Sequence, residues 1–193
     1  ALTMQAKVVL PGIFGDNMVL QQQSEAQFWG KAAPGKKVTI RPSWSAKPVT
    51  ATAGRDGRWQ AAVPTPEAGG PYTIELSDGE TLTLRDVLIG EVWLCSGQSN
   101  MEFKVSSLAD GGAELRRRAD AGELDAVRML TVPRNALLTP ARDVDAAWQT
   151  ASAATIDDWS AVALFFAKKL ADELAVPVGV LASSWGGTIA EAW

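Results

Sequence analysis

The run Ser96, Gly97, Gln98, Ser99, Asn100, Met101, Glu102 follows the apolar stretch Val92, Trp93, Leu94, Cys95, so a glycine-assisted turn presents serine where the chain leaves a buried strand. That is a place for a nucleophile: glycine permits the backbone reversal, and if a helical turn begins at Ser99, the amides of Ser99 and Asn100 point toward an oxyanion forming on an ester carbonyl. The elbow with glycine on both sides of the serine is absent, because Met101 stands at the second glycine position. By itself the motif reads first as a capped helix start, serine there being more often a cap than a nucleophile. A second block, Gly186 and Gly187, follows the apolar run 178–182. Glycines there let a backbone amide approach a reacting carbonyl, although a plain strand-to-loop turn would look the same.

Serine is a poor nucleophile without a base, and the 193 residues contain no histidine. Neither a Ser-His pair nor a histidine-ligated metal site can be assembled from these residues alone. Lys168 and Lys169 fall on a helical pattern and read as solvated. Glu91, Glu102 and Glu191 lie near the two blocks, but a carboxylate pair for glycoside cleavage needs a defined separation that sequence does not provide. The single cysteine, Cys95, cannot form an internal disulfide and reads as a buried thiol packed as a small hydrophobe. Eight tryptophans accompany one tyrosine; Trp185 and Trp193 fit either the wall of a sugar cleft or burial under a sheet edge.

Two kinds of element must position these residues. From Phe14 to about Arg85, short alternating segments separated by Pro-Gly, Asp-Gly and Gly-Gly predict antiparallel strands, with 37–41, 59–63, 72–76 and 81–84 the clearest, and residues 1–85 are expected to form a small β-sandwich. Past Val87 the pattern becomes continuous and apolar, as in strands buried on both faces. The runs 87–95, 127–132 and 178–182 predict parallel strands. Val162, Phe165, Phe166, Leu170 and Leu174 fall at helical spacing between the last two, with Asp157, Asp158 and Ser160 as candidate caps. Residues 86–193 are therefore expected to be the first part of an α/β domain with a parallel sheet, its ligand site at the carboxyl ends of the strands.

With 47% hydrophobic and 21% charged residues the chain has the balance of a globular protein with a real core. The formal charge of -4 and the lack of a basic face argue against a nucleic-acid partner. No apolar run reaches the roughly 18 residues needed to span a bilayer, and no basic segment followed by an apolar core opens the chain. An extracellular or periplasmic location, with the export signal removed, is the expectation.

The segment 86–103, DVLIGEVWLCSGQSNMEF, resembles the nucleophile region of the sialate O-acetylesterase family, members of the SGNH hydrolases. FGDNMVLQQ at 14–22, the DGRW and AGGPY stretches within 54–72, Val132, Pro133, Arg134, and VPVGVLASSWGGTIAEAW at 176–193 extend the resemblance through almost the whole chain. It implies a flavodoxin-like domain, Ser99 as nucleophile, Gly186 or Gly187 as the oxyanion-hole glycine beside the Ser99 and Asn100 amides, an O-acetylated carbohydrate as substrate, and no metal or organic cofactor. The family's QGE segment and its Asp-x-His segment are not among these residues, so the histidine and aspartate are expected from a C-terminal half, on a second chain or the same one. A non-catalytic carbohydrate-binding module is the competing expectation, and the missing histidine favours it.

Overall fold

The computed structural model describes residues 7–189; Glu191 and Trp193 lie outside them. Alternation in the first half yields β1 (Val19–Gln21), β2 (Glu25–Lys31), β3 (Lys37–Pro42), β4 (Val49–Thr52), β5 (Arg58–Pro64) and β6 (Gly69–Ser77). In β3, Val38 and Ile40 are fully buried while Lys37 and Arg41 face water, as the two-residue period of a strand requires. β2 and β5 form a two-stranded antiparallel sheet. Phe28, Trp59 and Val63 from it join Val38, Ile40, Ile74, Leu76, Leu84 and Val87 in one hydrophobic cluster.

The runs 81–84 and 87–95 are a single strand, β7 (Thr81–Gly97). Between the pairs Ile74–Leu84 and Tyr72–Val87, β6 advances two residues and β7 three, which is a β-bulge. Asp86 takes φ of 52° there, a conformation that aspartate adopts more readily than most residues. Arg128, largely buried, donates from Nη2 to Asp86 Oδ2 at 3.1 Å. The junction expected between residues 85 and 86 thus falls on a bulge inside a paired strand, pinned by an arginine from later in the chain.

After β7 come α1 (Ser99–Glu102), α2 (Ala113–Asp120), β8 (Val127–Thr131), β9 (Trp148–Thr150), α3 (Ala161–Leu174) and β10 (Val178–Ser184). The sheet is mixed. β10 pairs parallel with β7 on one side and with β8 on the other, β1 also pairs parallel with β7, and the remaining pairings are antiparallel. Among the described residues the later parallel strands therefore stand in the order β8, β10, β7. A flavodoxin-like sheet gives its first strand a neighbour on both edges. Here Glu91 N–H turns toward Pro177 and Val92 N–H toward the Gln21 side chain, so beyond Val92 one edge of β7 has no strand among the described residues.

Helix α3 forms where its spacing predicts, but the buried face is different. Ala161, Ala163, Leu164, Ala167 and Ala171 pack into the second cluster with Met129, Val178 and Val180, whereas Val162, Phe165, Phe166 and Leu174 are 39–51% exposed. An alanine stripe makes the contact with the sheet, which turns the bulky positions to the other flank. Phe166 meets Trp93 edge-on there, with ring centroids 5.3 Å apart. Of the three candidate caps, Ser160 is the one used: its Oγ accepts from Ala163 N–H at 3.2 Å. Asp157 and Asp158 pair instead with Arg116 and Lys104.

Candidate active site

Ser99 is exposed and is the first residue of α1, two residues after β7 ends. Gly97 makes that turn possible with φ of 150°, and its carbonyl accepts from Trp185 N–H at 3.0 Å. The end of β7 is thereby tied to the end of β10. The first amides of a helix have no partner within it, so those of Ser99 and Asn100 stand at the start of α1 ready to donate. Met101 O accepts from Ser160 Oγ at 2.6 Å, so the cap of α3 also holds α1 in place.

The two glycines behave differently. Gly186 packs directly against Ser99: a Cβ built on it would lie 3.5 Å from both Ser99 Cα and Ser99 Cβ, and 2.5 Å from Glu102 Oε2. Its N–H already donates to Glu102 Oε2 at 2.8 Å. Gly187 is exposed and open on the side where a Cβ would point. Glu102, noted in the sequence only as a nearby acid, is thus the centre of a clamp, since its other carboxylate oxygen pairs with Arg134. Gln98 adds a further tie by donating to the Thr188 carbonyl.

Next to this clamp lies a cavity of about 670 Å³ whose wall includes Arg134, Leu137, Leu138, Ser184, Trp185 and Thr188. Trp185 is partly buried and lines it. Among the described residues, no group of three or more histidine, cysteine, aspartate or glutamate side chains could hold a metal ion.

No family model matches the sequence. The chain is 34% identical to the sialate O-acetylesterase of Mus musculus over 194 residues and 32% identical to that of Homo sapiens over 193, covering 91% and 92% of its own length. A solved carbohydrate acetylesterase from Xanthomonas citri superposes on 97% of the chain with a TM-score of 0.88 at 33% identity. The chain is a homologue of the sialate O-acetylesterases. It spans 35% and 37% of the length of the two curated relatives and 42% of the solved acetylesterase.

Against the sialate O-acetylesterase resemblance, the structure brings Ser99, Asn100, Gly186 and Gly187 to one end of the sheet. Glu91 does not join them: it accepts from the Gln21 and Gln22 side chains at 3.2 and 2.8 Å, on the far side of β7 from that end. Lys168 and Lys169 pair with Asp172 and Glu173 along α3, so neither stands near Ser99 as a base. Cys95 is buried, and desolvation raises its thiol pKa, in keeping with a packing role. Among the described residues no helix is long and apolar enough to cross a membrane. The role of Glu102 had one sequence signal, its position three residues after Ser99 on the first turn of a helix. What it reaches depends on folding, because Arg134 and Gly186 come from distant segments.

Proposed function

We propose that this chain carries the nucleophile end of a serine carbohydrate O-acetylesterase, within a complete protein whose other part supplies the base. The observation that carries the reading is the exposed Ser99 at the carboxyl end of β7 with Gly186 packed 3.5 Å from it at the end of β10. Ser99 Oγ attacks the acetyl carbonyl carbon while its proton passes to a histidine from outside the 193 residues, which contain none. The carbonyl π electrons move to oxygen, and the resulting oxyanion is held by the amides of Ser99, Asn100 and Gly187. Because Gly186 N–H is already bonded to Glu102, that glycine serves by leaving room for Ser99. Collapse of the intermediate releases the sugar oxygen, which takes the proton from the histidine. Water, deprotonated by the same base, then attacks the acetyl-Ser99 carbonyl and frees acetate.

Glu102 is a positioning residue: bonded to Gly186 and paired with Arg134, it fixes the loop after β10 against α1. The 670 Å³ cavity at Trp185 is the space for the sugar. The finer assignments follow from the same reading. Residues 1–85 form a β-sandwich, with the β2–β5 sheet as one layer, and residues 86–193 begin an SGNH-type, flavodoxin-like domain. The unpaired edge of β7 receives a strand from the part carrying the histidine and aspartate. The protein acts outside the cytoplasm.

An organophosphonate tests the assignment. It should label the complete esterase at Ser99, and Ser99→Ala should lower kcat by several powers of ten. The 193-residue chain alone should turn over an aryl acetate no faster than background and gain activity when the histidine-bearing part is added. Labelling at another residue, or near-normal activity in Ser99→Ala, would sink the proposal.

A further inference from the structure

A second cavity lies away from Ser99. It measures about 930 Å³, lies over the outer face of the β2–β5 sheet, and shares no lining residue with the smaller cavity at Trp185. Register determines which side chains meet there. Trp29 stands opposite Gln60, and Lys31 opposite Arg58, with Gln27 two residues before Trp29 on the same face. All five line the cavity, and Arg142 closes it from the other side.

The arrangement sets a fixed aromatic plane beside two amides. Trp29 is only partly buried, and its orientation is set from two directions: Phe14 packs edge-on at 4.7 Å, itself stacked on the buried Phe28, and the indole Nε1 donates to the Arg142 carbonyl at 3.3 Å. An aromatic plane held in this way offers a ring-stacking surface with little entropy to lose on binding. Beside it, Gln60 Nε2 donates to Gln27 Oε1 at 3.0 Å, which orients a pair of amides toward hydroxyl groups. Trp59, which also lines the cavity, has a buried indole N–H with no hydrogen-bond partner.

Charge selects the kind of sugar. Three cations line the cavity, Lys31, Arg58 and Arg142, against one carboxylate, Asp143, whose Oδ1 already accepts from the Gly12 and Val144 amides at 2.9 and 2.7 Å. Arg58 is also 3.7 Å from Asp56, a loose, exposed pair. We infer that this groove is a second saccharide-binding site, separate from the Ser99 site, which takes an acidic sugar with its ring on Trp29, its hydroxyls on Gln27 and Gln60, and its carboxylate on Lys31 and Arg58. It would hold an acidic glycan on the protein independently of hydrolysis, and it stands even if the esterase reading fails.

Calorimetric titration of the complete protein with 3′-sialyllactose, with lactose as the neutral control and sodium acetate as a bare carboxylate, tests it. Sialyllactose should bind more tightly than either control. Trp29→Ala should weaken it at least about tenfold, as loss of an aromatic anchor does. The exposed pair Lys31→Gln with Arg58→Gln, which leaves the apolar packing intact, should bring sialyllactose down to the level of lactose, and the binding component lost in Trp29→Ala should persist when the Ser99 site is altered by Trp185→Ala. Equal binding of sialyllactose and acetate, retention of affinity in the Lys31→Gln, Arg58→Gln variant, loss of that component in Trp185→Ala, or no binding at all would overturn the inference.

Discussion

The two stretches of β7 differ in how their apolar side chains are covered. From Thr81 to Ile89 the strand pairs with β6, β1 joins it at Leu88–Gly90, and Leu84, Val87 and Ile89 are buried. From Glu91 to Gly97, among the described residues, only β10 pairs with it, and Trp93 and Leu94 are 44% and 66% exposed beside the exposed flank of α3. Both stretches are rich in apolar residues, so composition does not separate them. What separates them is what packs on the face of the sheet: Leu84 and Val87 lie in the cluster with Phe28 and Ile74, whereas Trp93 meets the exposed flank of α3 at Phe166 and Leu94 faces outward. Ser99 follows the second stretch, while the groove at Trp29 belongs to the first half.

The strongest way to break this contrast is to ask whether the halves are separate bodies. Phe28 and Trp159 are fully buried, one in each hydrophobic cluster. Truncating either to alanine should cost about 3–5 kcal/mol. Because β7 runs through both halves, and Leu130, Trp148 and Leu181 from the second half pack into the cluster of the first, both variants should lower one shared thermal transition. Two separable transitions, each moved by only one of the substitutions, would mean that the bulge at Asp86 is a true boundary.

A smaller effect should appear at the junction of β7 and β10. Alanine at Gly186 would place Cβ 2.5 Å from Glu102 Oε2, so the Glu102 carboxylate or the loop must move, and Ser99 lies on the same surface. Displacement of catalytic groups by about 1 Å can cost roughly 10²-fold, so Gly186→Ala should lower kcat/KM of the complete esterase by about that factor with little change in melting temperature. Unchanged kinetics would remove Gly186 from the site. Smaller still is Ser160→Ala. It deletes both the cap of α3 and the bond to Met101 O, and should cost about 1 kcal/mol measured by denaturant unfolding. Ser160→Thr should restore most of it; no loss in the alanine variant would show that α1 is held by other contacts.

Local patterns made much of this legible. Alternation at Val38 and Ile40 and continuous apolarity after Val87 were readable because a strand's period is set by its own backbone. The turn at Gly97 and Ser99 was readable because only certain residues tolerate such a reversal, and the absence of histidine needed no structure at all. By contrast, the joining of 81–84 to 87–95 depended on Asp86 being held in a bulge by Arg128, 42 residues away. The buried face of α3 was hidden for a related reason: two stripes, one of alanines and one of larger apolar residues, both fit helical periodicity, and the sheet selected the stripe of small side chains. Likewise, Glu102 could be seen as an acid near Ser99, but its link to Gly186 and Arg134 exists only once β10 is laid beside β7. Sequence by itself determined the strongly patterned strands, the helix 161–174 and which serine stands at a strand end, because those follow from short-range backbone geometry. Pairing partners, buried faces and the Glu102 clamp were decided by the tertiary structure alone, because each depends on contacts between segments far apart in the chain.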